Sequence, residues 1–73
     1  MNTVSKLKHG QKGQVIKIEA DKKLKRKLNN LGIVEGTEIT VRRTAPFGDP
    51  IEVEVRGFRL AIRKREADGI ILA

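Results

Sequence analysis

The chain contains no cysteine, and this absence excludes several kinds of chemistry at once. Thiolate metal sites, iron–sulfur clusters, thiol catalysis and disulfide bonds all depend on that residue. A chain of 73 residues buries only about 60% of the surface that its unfolded form exposes, so its stability has to come from packing without a covalent cross-link. The lack of cysteine also fits a protein of the reducing cytoplasm.

Long hydrophobic runs are absent as well. No segment contains enough consecutive apolar residues to cross a bilayer as a helix, which takes about 20. Residues 1–13 are polar and basic and lack the apolar centre of a secretory signal peptide. We therefore expect a cytoplasmic protein with no direct membrane insertion.

Side chains that carry out catalysis are scarce. Tyrosine is absent, and His9 and Ser5 are the single histidine and serine, both ahead of the first predicted strand. A nucleophile needs a base beside it, and the pattern places none there. Glu52 and Glu54 alternate with apolar residues close to arginines, which is typical of cross-strand ion pairs on a solvated face. The sequence predicts no enzyme and no catalytic residues.

Metal ligands are also few. Sites for Fe²⁺ or Zn²⁺ normally combine several histidine, cysteine and carboxylate side chains, and one histidine cannot supply such a set. The carboxylates of Asp49 and Glu35 could join a weak site for ferrous or other transition metal ions. The Gly-Asp-Pro sequence around Asp49 is also ordinary turn chemistry. We expect no metal site and no cofactor, with weak metal binding left open.

Hydrophobic periodicity predicts one strand and one helix in the first half of the chain. Residues 13–19 form a strand with Ile16 and Ile18 on its inner face. Asp21 is the predicted N-cap of a helix that runs to about Leu31. The apolar stripe of that helix has the spacing i, i+4, i+7 and consists of Leu24, Leu28 and Leu31.

The second half of the chain reads as β structure. Its predicted segments are a strand at 38–43, a loop at 44–50, a strand at 51–56, a tight turn at 57–58, a strand containing Leu60 and Ile62, a turn at 66–69 and a strand at 70–72. Short strands in a flat sheet leave open edges, and closure removes them. We therefore predict a mainly β, single domain at residues 1–73: a small SH3-like β-barrel of about five strands with one short α-helix.

The formal net charge is +7, so nucleic acid is a candidate partner. Proteins that bind single strands stack bases on aromatic side chains, but Phe47 and Phe58 are the only aromatics and both lie in predicted turns. A small basic nucleic-acid-binding barrel is the alternative hypothesis. The cations expected on neighbouring strands are Arg42, Arg43, Arg56, Arg59, Arg63, Lys64 and Arg65.

The most distinctive segment is the loop at residues 44–50, where two prolines flank Phe47 and Gly48. Phe47 either stands on a stiffened tip, where it would dock on a protein, or folds back to cap the end of the barrel. The sequence is equally compatible with both interpretations. The candidate partner-binding residues are Pro46, Phe47 and Asp49 in the loop, with Lys22, Lys25 and Arg26 on the basic helix face as a second contact.

Taken together, these segments resemble the FeoA-like family, the ferrous iron transport protein A domain. The resemblance is strongest at residues 45–51, Ala-Pro-Phe-Gly-Asp-Pro-Ile, and the order of the segments makes it specific. The other matching segments are Leu7, Gly10 and Gly13, then 28–33, 35–37, 56–63 and 66–67.

The resemblance implies an SH3-like β-barrel with a non-enzymatic accessory or regulatory role in ferrous iron uptake. The implied partner is the cytosolic part of a membrane transporter, the ferrous iron transport protein B. The same domain type occurs at the C-terminus of metal-dependent repressors as a metal-responsive regulatory domain, which is a further alternative. Because Met1 opens the chain and no helix-turn-helix precedes the domain, we expect the stand-alone form.

Overall fold

The computed structural model describes residues 2–73 as an antiparallel sheet with two α-helices. The strands are β1 (Asn2–Thr3), β2 (Lys12–Ile18), β3 (Glu38–Thr44), β4 (Ile51–Val55), β5 (Phe58–Ile62) and β6 (Ile70–Leu72). The helices are α1 (Lys22–Asn30) and α2 (Lys64–Ala67), and a 3₁₀ turn covers Val4–Lys6. The strand order across the sheet is β1-β6-β2-β3-β4-β5.

The mainly β class predicted from the sequence is confirmed, but the details of the sheet differ. Six strands form it instead of about five, and β1 and β5 end the strand order without pairing to each other within the described chain. The sheet is therefore not closed, whereas the sequence analysis predicted a closed barrel. The extra strand β1 has only two residues, too few for an alternating pattern to show.

The core lies on the inner face of the sheet and is aliphatic. Alternate residues of β3 and β4 are buried, as the sequence predicts, because successive side chains of a strand point to opposite faces. The fully buried large side chains are Val4, Leu28, Ile33, Ile39, Val41, Val53, Val55, Ile62 and Ile70. Burial of each contributes about 1.5–3 kcal/mol, which is what holds a small domain without disulfides together.

The inner face of β2 was predicted wrongly at one position. Ile18 is 7% exposed, but Ile16 is 52% exposed and Val15 takes the inner place. The pairing of β2 with β6 shifts register between Val15 and Lys17, which is the signature of a β-bulge. The extra residue of the bulge reverses the alternation, so Ile16 turns outward.

Helix α1 begins where the sequence predicts. The Asp21 carboxylate accepts a hydrogen bond from the backbone N–H of Leu24 at 2.8 Å, so Asp21 is the N-cap. Of the predicted apolar stripe, Leu28 is fully buried, Leu24 is half-buried and Leu31 is 39% exposed. The helix therefore rests on the sheet mainly through Leu28.

The hairpin between β4 and β5 turns one residue earlier than predicted. Val55 pairs with Phe58, so Arg56 and Gly57 are the two central residues, with φ of +53° and +83°. Positive φ at both positions defines a type I′ turn, whose twist matches that of the strands. Phe58 consequently starts β5.

Candidate functional site

The loop between β3 and β4 is folded by its own main chain. The N–H of Ala45 donates to the carbonyl of Pro50 at 3.1 Å, and the N–H of Gly48 donates to the carbonyl of Ala45 at 2.7 Å. The second bond closes a four-residue turn with Pro46 at the position where proline is favoured. Pro46 and Phe47 therefore occupy the two central positions of a hydrogen-bonded turn.

The Phe47 side chain is 98% exposed. It lies in solvent and does not cover the end of the sheet. Of the two interpretations of this residue, the structure therefore shows the one in which Phe47 projects from the loop. A phenylalanine in this position leaves about 1.5–3 kcal/mol of hydrophobic burial unused in the isolated chain. That amount is available to a partner.

Asp49 performs a structural task in the same loop. Its Oδ1 accepts a hydrogen bond from the backbone N–H of Lys64 at 3.0 Å, at the first residue of α2. One of the unpaired N–H groups that begin every helix is thereby satisfied. Asp49 fixes the loop to α2, so this member of the predicted site positions the other two.

A small hollow of about 220 Å³ lies beside the loop. Its lining consists of Arg43, Ala45, Pro46, Pro50, Glu52 and Ala61. Pockets for small molecules usually measure about 300–1,000 Å³, so this hollow suits a single side chain of a protein partner. Phe47 and the hollow together form a projection next to a depression.

The second predicted contact, the basic face of α1, is separate from the loop. Lys22, Lys25 and Arg26 are all exposed. No hydrogen bond or ion pair within residues 2–73 joins them to the loop. The two surfaces are related through α2, which Asp49 holds at one point and Lys27 of α1 holds at another.

Glu66 is an important residue that the sequence analysis missed. Its side chain is 4% exposed, with Oε2 accepting from Lys27 Nζ at 2.7 Å and Oε1 accepting from the backbone N–H of Arg63 at 2.8 Å. Burial acts to raise the Glu66 pKa, but the Lys27 and Arg63 hydrogen bonds and the charges of Lys27 and Arg65 outweigh it, so the pKa is lowered. Glu66 is the third residue after the N-cap Arg63 and forms the glutamate half of a capping box, but arginine stands where that motif has serine or threonine, so the sequence carried no clear signal for it.

The basic stripe proposed for nucleic acid is partly neutralised. Arg42 Nε lies 2.9 Å from Glu54 Oε1, and Arg59 Nη1 lies 3.1 Å from Glu52 Oε1. These ion pairs form across neighbouring strands, as the alternating glutamates predict. The exposed cations of the predicted stripe that remain are Arg43, Arg56, Arg63, Lys64 and Arg65.

The carboxylates considered for a weak metal site do not come together. Asp49 accepts from Lys64, whereas Glu35 lines a different hollow with Glu38 and Glu54. Within residues 2–73 no three histidine, cysteine, aspartate or glutamate side chains are grouped so that they could hold a metal ion. None of the helices described is long and apolar enough to cross a membrane.

Comparison with known proteins identifies the family to which these features point. The sequence profile of the FeoA domain matches residues 2–73, nearly the whole chain. The chain belongs to the FeoA domain family. The resemblance stated from the sequence is thereby confirmed.

Solved FeoA structures share the fold described above. The FeoA protein from Chlorobium tepidum is 41% identical, with a TM-score of 0.90 over 97% of this chain and 68% of that chain. The zinc complex of Stenotrophomonas maltophilia FeoA is 28% identical, with a TM-score of 0.87 over 100% of this chain and 91% of that chain. That protein is described as a prokaryotic SH3 domain protein and is suggested to be a ferrous iron transport activating factor.

A manganese-dependent transcriptional repressor contains the same fold. The likeness covers 99% of this FeoA domain and 41% of the repressor chain, with a TM-score of 0.86 and 19% identity. At this level of identity the likeness shows the fold alone, and fold does not determine function.

Proposed function

We propose that this FeoA domain is a non-enzymatic cytoplasmic accessory protein of ferrous iron uptake, acting as one domain over residues 1–73. It docks on the cytosolic part of a membrane ferrous iron transporter through the tip of the loop at residues 45–50. The observation that carries the proposal is the full exposure of Phe47 on a hydrogen-bonded turn. The suggested role of the Stenotrophomonas maltophilia protein as a transport activating factor supports the choice of partner.

An apolar anchor and a positive net charge together favour docking on a protein partner. The hydrogen-bonded turn already fixes the main chain at Phe47, so binding orders little more than the side chain itself and most of its burial contributes to affinity. The net charge of +7 accelerates encounter with an acidic partner surface. Lys22, Lys25 and Arg26 are exposed on α1 and form the second contact in this proposal.

The test is an NMR titration of the ¹⁵N-labelled chain with the soluble GTP-binding portion of the transporter at physiological salt. We expect chemical-shift changes at residues 45–50 and on the neighbouring surface. Phe47→Ala should weaken binding about 10- to 30-fold, which corresponds to about 1.4–2 kcal/mol at an interface anchor. The matched control is Ile16→Ala, which truncates another exposed apolar side chain, on β2 and outside the loop.

Two results would contradict the proposal. Absence of shifts at high concentrations of the transporter portion would remove the soluble domain as the docking partner. Equal binding by Phe47→Ala and the unmodified chain would remove the loop tip as the site.

A nucleic acid is the second candidate partner, because a basic hollow adjoins the sheet. About 650 Å³ in volume, it is lined by Leu7, Lys8, His9, Arg42, Arg43 and Thr44. Phosphate binding would make the affinity fall steeply with salt, about 10³-fold between 50 and 200 mM for six contacts. Titration with single-stranded RNA over that range, with Arg43→Ala as the variant, measures whether a defined site exists.

A further inference from the structure

Strand β5 has a free edge. Among residues 2–73 its one partner strand is β4, through Val55 with Phe58, Val53 with Leu60 and Ile51 with Ile62. In a hairpin with a two-residue turn these are the hydrogen-bonded pairs, so Phe58, Leu60 and Ile62 direct their N–H and C=O groups toward β4.

The residues between them face the other way. Arg59 and Ala61 therefore turn their main-chain N–H and C=O groups to the side of β5 that has no neighbouring strand. Within residues 2–73, no main-chain hydrogen bond outside the sheet ladder involves either residue. Four main-chain hydrogen-bonding groups are consequently open to an additional strand.

This edge has few of the features by which natural sheets prevent another strand from pairing with an exposed edge. The β4–β5 pairing shows no register shift, and β5 contains no proline, so neither a bulge nor a missing N–H blocks the edge. The protection present is charge: Arg56 and Arg63 are exposed at the two ends of β5, and Arg59, which is paired with Glu52, lies between them. Such an edge rejects cationic strands and admits anionic ones.

Apolar side chains on the inner face of the sheet are incompletely covered along the same edge. Phe58 and Leu60 lie on the face that carries Val53 and Val55, yet Phe58 is 73% exposed and Leu60 is only half-buried. A strand added beside β5 would cover both side chains with apolar residues of its own. The edge thus combines open hydrogen-bonding groups with uncovered hydrophobic surface.

The surrounding charge selects the occupant. Arg56, Arg63, Lys64 and Arg65 flank β5, are exposed and form no ion pair within residues 2–73, whereas Arg59 is paired with Glu52. A second copy of this chain, with its own net charge of +7, would bring the same cations together. A segment with carboxylates would instead pair with them.

Strand β4 shows the pattern that β5 accepts on its other side. In the sequence Ile-Glu-Val-Glu-Val of residues 51–55, Glu54 stands opposite Arg59 and Val53 stands opposite Leu60. We infer that the free edge of β5 binds an extended acidic peptide segment of a partner protein, with acidic and apolar residues alternating, as an added strand. This site uses the main chain of β5 and not the Phe47 tip, although Ala61 also lines the hollow beside the loop, and it does not depend on the docking proposed there.

The direct test uses a peptide with the β4 pattern, acetyl-Ser-Ile-Glu-Val-Glu-Val-Ser-amide, titrated into the ¹⁵N-labelled chain at physiological salt. We expect shifts centred on Arg59 and Ala61 and at least tenfold slower amide hydrogen exchange at both. Replacing the glutamates of the peptide by lysine should weaken binding at least tenfold. Only every second residue of an added strand directs its N–H toward β5. N-methylation of that set of peptide residues should abolish binding, and N-methylation of the other set should preserve it. Simple charge attraction would not distinguish the two sets.

Protein variants separate strand addition from other modes. Ala61→Pro removes the outward N–H without removing a hydrogen bond to β4 and should lose the peptide, whereas Ala61→Val keeps the N–H and should bind it. If Ala61→Pro does not fold, the amide exchange rates of Arg59 and Ala61 in the unmodified chain decide whether the peptide adds as a strand. Phe47→Ala should bind the peptide as the unmodified chain does, so failure here is distinguishable from failure of the loop proposal.

The inference is overturned by any of three results. The first is unchanged exchange at Arg59 and Ala61 in the presence of saturating peptide. Equal binding of the lysine peptide is the second. The third is dimerisation through β5 in sedimentation experiments, which would make a second copy of the chain the occupant.

Discussion

The buried carboxylate of Glu66 links α2 to α1, and removing its charge should cost measurable stability. In Glu66→Gln the side chain keeps its length and an oxygen that can accept from the Arg63 N–H, but it loses the ionic bond to Lys27. A hydrogen bond to a charged group contributes about 1.5–3 kcal/mol when buried. Because Lys27 is 57% exposed and recovers hydration, we reduce this to about 1 kcal/mol.

Truncation at the same position should cost more. Glu66→Ala also leaves the Arg63 N–H without its acceptor and removes buried methylene groups, for a total loss of about 3 kcal/mol. A loss of 1 kcal/mol lowers the melting temperature of a domain this small by about 4–8 °C. Thermal unfolding followed by circular dichroism should therefore rank the unmodified chain above Glu66→Gln, and Glu66→Gln above Glu66→Ala. Asp68→Asn, which neutralises an exposed carboxylate at the end of α2, is the matched control and should change little.

The pH dependence gives an independent check. Since the folded chain lowers the Glu66 pKa below its ordinary value of 4.5, the unfolded chain binds the proton more readily. The stabilisation is therefore complete above pH 4.5 and is lost as the pH falls through the lower pKa of the folded state. The stability difference between the unmodified chain and Glu66→Gln should shrink over this range. A difference that is absent at pH 7, or that stays constant down to pH 2, would refute the reasoning.

Three further experiments test the fold. Gly69→Ala would place a Cβ 2.5 Å from the carbonyl oxygen of Glu19, so we expect a loss of about 1–3 kcal/mol in urea unfolding, and retention of full stability would contradict the placement of β6. Ile16→Lys should change stability by less than about 0.5 kcal/mol while Ile18→Lys unfolds the chain, and the reverse order would mean that the β2 bulge is absent. Asp49→Ala removes the acceptor for the Lys64 N–H and should cost about 0.5–1.5 kcal/mol by urea unfolding, with Asp49→Asn losing less; equal losses would argue against the bond.

Local patterns in the sequence predicted most of the secondary structure. Alternation in β3 and β4 identified the buried residues, and Asp21 identified the start of α1, because both signals depend on a few neighbouring residues. The bulge in β2 escaped prediction, since a single inserted residue leaves no compositional trace in a run of apolar and polar residues. Whether the bulge forms depends on which strand pairs with β2.

Helix α2 was not predicted from the sequence, for a different reason. A helix of four residues has little stability of its own, because helix nucleation is unfavourable. This one is held by side chains distant in sequence: Asp49 accepts from Lys64, and Lys27, 39 residues away, binds Glu66. Tertiary contacts therefore decide that residues 64–67 are helical, and residues 66–69 alone read as a turn.

The same distinction explains how far the candidate surfaces could be predicted. The composition of the loop at residues 44–50 identified it as a turn, but whether Phe47 covers the sheet or projects depends on the bonds of Ala45 and Gly48 and on the anchoring of Asp49. The free edge of β5 depends on the strand order of the whole sheet, because closure would have paired it. Sequence patterns name the residues on both surfaces. Which of those residues a partner can reach is determined by the hydrogen bonds of the loop and of Asp49 for Phe47, and by the strand order for β5.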